Sequence, residues 1–207
     1  MRYIVLIICC MVSLKPVCSR TFHYIDIIKN SLILNDKMPS VYIESDFHVE
    51  DNLKRSIYSI EHIFPRSYLK KQHCNDMHNT FRTINELNNQ RSNYRFVDIS
   101  SHCEDNNNWI KLSYGNYVNH KERVFIPNEA SRGFISRSIL YMLKEYNYKP
   151  TKIIDKQVLI DWFYNYPPNK NEKYHNQLVI KIQKKDNIFI SHYNKKSKNL
   201  LKLLEKL

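Results

Sequence analysis

The chain has 207 residues, 43% of them hydrophobic, with a formal charge of +12 and an isoelectric point near 9.4. That hydrophobic content excludes a disordered chain, and the length suits one domain with a real core. Its two glycines exclude Gly-rich phosphate loops of the dinucleotide or Walker type, and the basic excess points to a polyanionic partner, either nucleic acid or an anionic membrane surface.

The N-terminus reads as a secretory signal peptide over residues 1–19. Arg2 supplies the positive start, and the apolar run over residues 3–14 is too short to span a bilayer comfortably. Lys15 and Pro16 close it, and residues 17–19 are modest enough for cleavage. The competing reading is an uncleaved membrane anchor. Cleavage would remove Cys9, Cys10 and Cys18, leaving Cys74 and Cys103 in an oxidising compartment. We expect those two to pair, with a stabilisation of roughly 3–4 kcal/mol in the chain-entropy model. The rival for them is a zinc site drawn from His73, Cys74, His78, His102 and Cys103, whose spacings fit no common zinc pattern.

Further along, "YIDIIKNSLIL" (residues 24–34) predicts a helix and "SVYIESDF" (40–47) alternates like a strand. "SRGFISRSILYMLKEYNY" (131–148) predicts an amphipathic helix capped by Ser131, with Ile135, Ile139, Met142, Leu143 and Tyr146 on one face. Asp155 is placed to cap a helix over "KQVLIDWFYNY". Val158, Leu159, Trp162, Phe163 and Tyr166 form its apolar stripe, and Pro167-Pro168 end it. Those aromatics read as core rather than as a base-stacking platform. A third helix covers "NEKYHNQLVIKIQ" (171–183). Residues 194–207 form a tail rich in Lys and Leu, expected to be a short basic amphipathic helix or frayed. With no repeat or linker, residues 20–193 read as one domain.

The stretch richest in chemistry lies between Ser59 and Asn93. "SIEHIF" predicts a strand ended by Pro65, "DMHNTF" a second extended piece, and "RTINELNNQRSN" a helix with Ile84, Asn88 and Arg91 on one face. His62, at the end of the first strand, would face Asn88 from the helix, with Glu61 beside it. Phosphodiester hydrolysis requires such groups. Imidazole takes a proton from water near neutral pH. A cation such as Mg²⁺ offsets charge on the phosphate and on the departing 3′ oxygen. Mg²⁺ prefers oxygen ligands and keeps several waters, so one carboxylate and one amide oxygen suffice. Glu61 and Asn88 can supply these, and nearby Arg or Lys can hold the phosphate. Composition alone favours a Glu–His pair of ordinary surface groups.

The order of "IEHIFPRS", "DMHNTF", "INELNNQRSN", "FIPNEASRGFISRSILYM" and "WFYNYPPNKNEKYHN" resembles that of the endonuclease I family, over about residues 55–190. These are secreted or periplasmic non-specific nucleases built on a ββα-metal (His-Me) finger. The resemblance implies an α+β fold with that finger embedded in a mostly helical single domain. It implies an Mg²⁺-dependent endonuclease, with Mn²⁺ or Ca²⁺ as possible substitutes, acting on DNA and also on RNA and leaving 5′-phosphate ends. His62 would be the general base, and Glu61 and Asn88 the metal ligands. Asp76, His78, Asn79, Arg91 and Asn93 would support the finger, with His78 read as structural. Arg132, Trp162 and Asn176 match downstream motif positions and read as packing. The protein would be a secreted monomer without stable membrane association once the signal is removed.

The chain also departs from the family pattern. The loop between Pro65 and Asp76 is short, so the family's phosphate-steadying Arg has no aligned position, and Arg66, Lys70 or Lys71 must substitute; Arg66 is the first choice. Thr80 stands for Leu, Thr83 lies near a Pro position, Ile126 replaces Glu and His175 replaces Arg. "QKKDNIFIS" lacks the Arg of the family's C-terminal motif. None of these removes Glu61, His62 or Asn88. The competing functions are a catalytically inactive nucleic-acid-binding protein on the same scaffold, and a membrane-associated factor using the basic tail.

Overall fold

The computed structural model describes residues 40–43, 57–98 and 108–193. The expected signal peptide, the helix over residues 24–34, the second half of the strand over 40–47, His102, Cys103 and the basic tail lie outside these residues; in its first half only Ser40 makes a β-bridge, to Arg82.

β1 (Tyr58–His62) and β2 (Thr80–Ile84) pair antiparallel, from Tyr58 opposite Ile84 to His62 opposite Thr80. β2 runs directly into α1 (Asn85–Arg91). Strand, strand and helix therefore follow in the expected order, with shifted boundaries. The segment 76–81 begins as a single 3-10 turn, Met77–Asn79, capped by Asp76. Arg82, Thr83 and Ile84 stay in the strand, where β-branched side chains fit the paired backbone. Ile84 therefore does not share a helical face with Asn88 and Arg91. Ser92, at φ 52°, ends the helix.

A second sheet is the main departure from the expected, mostly helical domain. β3 (Arg95–Phe96), β4 (Ile110–Lys111), β5 (Tyr117–Asn119) and β6 (Val124–Ile126) lie in the order β3-β6-β5-β4. β3 runs parallel to β6, and the other pairs are antiparallel. Strands of two or three residues are too short to display a period of two, so pattern reading passes over them. The fold is α+β.

α2 (Glu129–Tyr146) is the central helix, buried from Phe134 to Leu143. Ile135, Ile139, Met142 and Leu143 lie in the core as their spacing predicts, and Tyr146 packs at its margin. Its cap is Asn128, whose side chain accepts the Ser131 N–H at 3.1 Å. Ser131 sits one turn in, and its Oγ accepts the Tyr42 N–H instead. Asn147, left-handed at φ 55°, ends the helix.

α3 (Lys156–Asn165) starts at Asp155, whose carboxylate pairs with Arg95 rather than capping the helix. Trp162 and Phe163 are buried, and Trp162 packs edge-on against Phe96 at 6.3 Å, so these aromatics are core as expected. α4 (Lys170–Gln183) is capped by Asn169, and a short α5 (Ile188–Ser191) by Asn187. Arg137 of α2 grips Glu172 of α4 through two bonds, of 2.6 and 2.5 Å, both residues being fully enclosed. Asn176 holds Asp186 and the Asn187 N–H, and Arg132 bonds to Tyr166, so both have structural partners. Among the described residues no helix is long and apolar enough to cross a membrane.

Candidate active site

β1, α1 and the loop after Pro65 enclose a cavity of about 590 Å³ lined by Glu61, His62, Arg66, Asn88, Arg91 and Asn93, among others. The sequence therefore brings its principal candidates into one space. β1 alternates, so neighbouring Glu61 and His62 face opposite sides of the pair at its end, one buried and one half-buried.

The His62 ring is fixed by a 2.8 Å contact between Nε2 and the Cys74 carbonyl. A carbonyl only accepts, so Nε2 carries the proton and Nδ1 keeps a basic lone pair. Burial lowers the His62 pKa, opposed by the Cys74 carbonyl, while Arg66 and Arg91 push it further down. The ring is therefore held neutral, the state a base needs.

Asn88 is oriented in the same way. Its Nδ2 donates to Ser59 Oγ at 2.8 Å and to the Ile60 carbonyl at 3.2 Å. The carbonyl partner fixes which end of the amide is nitrogen, so Oδ1 is the end that takes no part in these two bonds. Glu61 itself is buried. Tyr42 Oη donates to its Oε1 at 2.8 Å, and Arg91 reaches the same oxygen at 2.9 Å. Desolvation raises the Glu61 pKa, opposed by the Arg91 charge, the Tyr42 bond and a bond from the His62 N–H. The Tyr42 and Arg91 bonds both fall on Oε1. A carboxylate and an amide oxygen lining one cavity form a donor set of the hard kind that Mg²⁺ takes. The residues present fit such an ion.

A family model described as endonuclease I matches residues 13–194. The chain belongs to the endonuclease I family. It is 34% identical over 116 residues to a periplasmic deoxyribonuclease of Aeromonas hydrophila, covering 56% of this chain and 46% of that protein. It is 36% identical over 120 residues to an extracellular deoxyribonuclease of the same organism, covering 56% and 48%. It is 30% identical over 116 residues to Endonuclease-1 of Buchnera aphidicola subsp. Acyrthosiphon pisum, covering 56% and 44%. The chain spans about half the length of the curated relatives it matches.

Of the remaining residues that the endonuclease I resemblance singles out, Arg91 and Asn93 line the cavity, whereas Asp76, His78 and Asn79 do not. Asn79 pairs with Phe64 through both ends of its amide, at 2.7 and 3.0 Å, extending the β1–β2 ladder by a side chain. Asp76 Oδ1 accepts the His78 N–H at 2.9 Å, and Oδ2 accepts the hydroxyls of Tyr141 and Tyr146. Arg91 is enclosed, donating to the His62 and Ile63 carbonyls at 3.0 and 2.6 Å and lying over the Phe96 ring. It ties α1 to the end of β1. Asn93 bonds to Ser67 and Arg123 at the rim. His78 Nε2 meets the Lys185 carbonyl at 3.0 Å. Arg66 is exposed on the cavity wall, close enough to depress His62, whereas Lys70 and Lys71 do not line the cavity.

Both cysteine expectations fall partly outside the described residues, since His102 and Cys103 lie beyond them. Cys74 is a free thiol whose Sγ donates to the Lys70 carbonyl at 3.6 Å, so no disulfide forms among the described residues, and Cys103 lies outside them. Its backbone carbonyl, not its sulfur, is what touches His62. The zinc alternative loses His73, which stacks on Tyr146 at 4.0 Å, and His78 to these separate structural bonds. Among the described residues no three His, Cys, Asp or Glu side chains gather around a metal position.

Sequence reading missed Tyr42. Val41 joins the edge of β2 through the Arg82 carbonyl at 2.9 Å, and Tyr42 follows at φ 69°, fully buried. Its N–H is held by Ser131 and its carbonyl by Asn116. Burial and Glu61 push the phenol pKa up, so it remains a donor to that carboxylate. A residue 19 positions before Glu61 carries no local signal of this contact.

Proposed function

We propose that this chain is a divalent-metal-dependent, sequence-non-specific endonuclease that hydrolyses DNA, and also RNA, to 5′-phosphate ends in a secretory, periplasmic or extracellular compartment. The observation carrying this reading is the His62 ring, neutral and anchored through Nε2 to Cys74, in one cavity with Glu61, Asn88 and Arg66. In this mechanism His62 Nδ1 takes a proton from a water molecule as its oxygen attacks phosphorus. The bond to the 3′ oxygen breaks, and that oxygen leaves as a hydroxyl after protonation from solvent. Arg66 holds a non-bridging phosphate oxygen, which places the phosphorus and offsets developing charge. Glu61 and Asn88 would hold the cation, which would supply further positive charge to offset the negative charge developing on the phosphate. Arg91 and Tyr42 orient the Glu61 carboxylate and favour its ionised form against the effect of burial. The names of the relatives, deoxyribonucleases described as periplasmic or extracellular, support the choice of substrate and compartment.

Supercoiled plasmid incubated with Mg²⁺, with and without EDTA, tests this. Cleavage is expected with Mg²⁺, lost with EDTA, and reduced about 10²–10⁴-fold in His62→Ala, the usual cost of removing a general base. Near-full cleavage by a correctly folded His62→Ala protein would remove His62 from the base role. Plasmid left intact by the wild type under every divalent cation would favour an inactive binding protein.

A further inference from the structure

We propose that a second cavity, on the far side of the Arg66–Tyr68 turn from His62, is a subsite for one unpaired nucleobase of the bound strand; the inference rests on the nuclease reading above. This cavity has a volume of about 230 Å³, and its walls include Phe64, Tyr68, Tyr148, Lys149, Lys152 and Ile153. It adjoins the catalytic cavity through a single 3-10 turn. Pro65, Arg66 and Ser67 line the first cavity, and Phe64 and Tyr68, immediately outside them, line the second. A strand whose phosphate sits against Arg66 therefore has the second cavity within reach of a neighbouring nucleotide.

The lining matches that occupant in chemistry. Tyr68 and Tyr148 are half-buried and offer ring surface, while Phe64 forms the floor, its ring 5.0 Å from that of Tyr148. Lys149 and Lys152 are exposed at the rim, and Lys152 Nζ stands 5.9 Å from the centre of the Tyr68 ring. Rings beside mobile cations are how sequence-tolerant proteins hold single strands, the bases stacking and the cations taking phosphates. The rings are also preset. Tyr148 Oη accepts the Lys70 N–H at 2.8 Å and contacts His73 Nδ1 at 2.8 Å. The same hydroxyl thus anchors the loop that delivers the Cys74 carbonyl to His62, so the cavity and the catalytic ring are held by one piece of backbone. A base in this cavity cannot remain paired, which predicts preference for single-stranded or locally opened substrate at this step.

Fluorescence anisotropy in EDTA, where no cleavage occurs, isolates binding. The probes are a fluorescein-labelled oligothymidylate and a strand of the same length made of abasic spacers. Tyr68→Ala should weaken oligothymidylate binding about 5- to 100-fold, the range for loss of one stacking contact. Tyr68→Phe should restore it, and the abasic strand should bind the wild type and both variants alike. Lys152→Ala, at an exposed position, should weaken both strands and reduce the salt dependence. Equal binding of oligothymidylate by wild type and Tyr68→Ala would overturn the proposal. Equal losses on the abasic strand would overturn it too, because such a loss does not involve a base. Failure of the wild type to cut plasmid with Mg²⁺ would instead strike the nuclease reading, and this binding comparison stands apart from that result.

Discussion

At the residue scale, the two proposed metal ligands differ in what else they do. Glu61 is 2% exposed and its partner Arg91 1%, so the pair is part of the interior as well as of the cavity. Removing one partner of a buried pair typically costs about 3–5 kcal/mol, because the other charge stays behind without compensation. Asn88 is half-buried, and its side chain adds two hydrogen bonds, to Ser59 and Ile60, each worth about 1 kcal/mol. Urea unfolding should therefore show Glu61→Gln losing several kcal/mol and Asn88→Ala no more than about 2. Plasmid cutting over an Mg²⁺ series should fall in both. Asn88→Ala is the cleaner probe of the cation, and wild-type cutting by that variant at low Mg²⁺ would remove Asn88 from the ligand set.

At the element scale, the position of α2 against α3 and α4 depends on one glycine. A Cβ at Gly133 would lie 2.4 Å from the Tyr166 carbonyl oxygen and 2.5 Å from the Arg137 guanidinium. Neither neighbour can yield freely. Tyr166 belongs to the backbone at the end of α3, and Arg137 is held by Glu172 and by the Tyr166 carbonyl. Gly133→Ala should force these helices apart, and overpacking of this kind costs about 1–3 kcal/mol. A lowered urea midpoint is the expected result, and an unchanged one would mean the helices separate without loss. The same contact explains the glycine in the second turn of this helix: it admits the α3 terminus, and Arg137, one turn on, satisfies the Tyr166 carbonyl.

At the scale of the whole molecule, acid should unfold the protein through buried histidines. His175 sits between α4 and β2, stacked on Phe81 at 5.1 Å and bonded through Nε2 to the Met77 carbonyl. Burial, with a smaller push from His78, lowers its pKa to about 4. His78 is lowered in the same direction, chiefly by burial. In the unfolded chain these rings protonate near pH 6.5, about the ordinary value. The unfolded state therefore binds more protons below that pH, so stability is full above about 6.5 and falls as pH drops towards 4. Thermal melts from pH 7 to pH 5 should show this loss, on the order of 1–2 kcal/mol by pH 5 from His175. His175→Gln, which keeps a donor for Met77, should flatten the slope, and an identical slope in that variant would assign the acid sensitivity elsewhere.

Local pattern determined much of this protein. The Glu-His pair at the end of an alternating strand, the asparagine of the following helix and the three long helices were all legible, because each depends on neighbours a few residues apart. Cap identities were less so. Ser131 and Asn128 are both good caps, and only the approach of Tyr42 to Ser131 decided between them. The four-stranded sheet was invisible because its strands are too short to show a period, and β3 finds its partner β6 only across a long stretch of chain. The tertiary structure alone determined how the site residues are bound. The His62 tautomer depends on a carbonyl 12 residues away, and the Glu61 environment on Arg91 and on Tyr42 from a separate segment. Residue type sets which chemistry a side chain can perform. Its protonation and orientation are set by atoms that only folding brings within hydrogen-bonding distance.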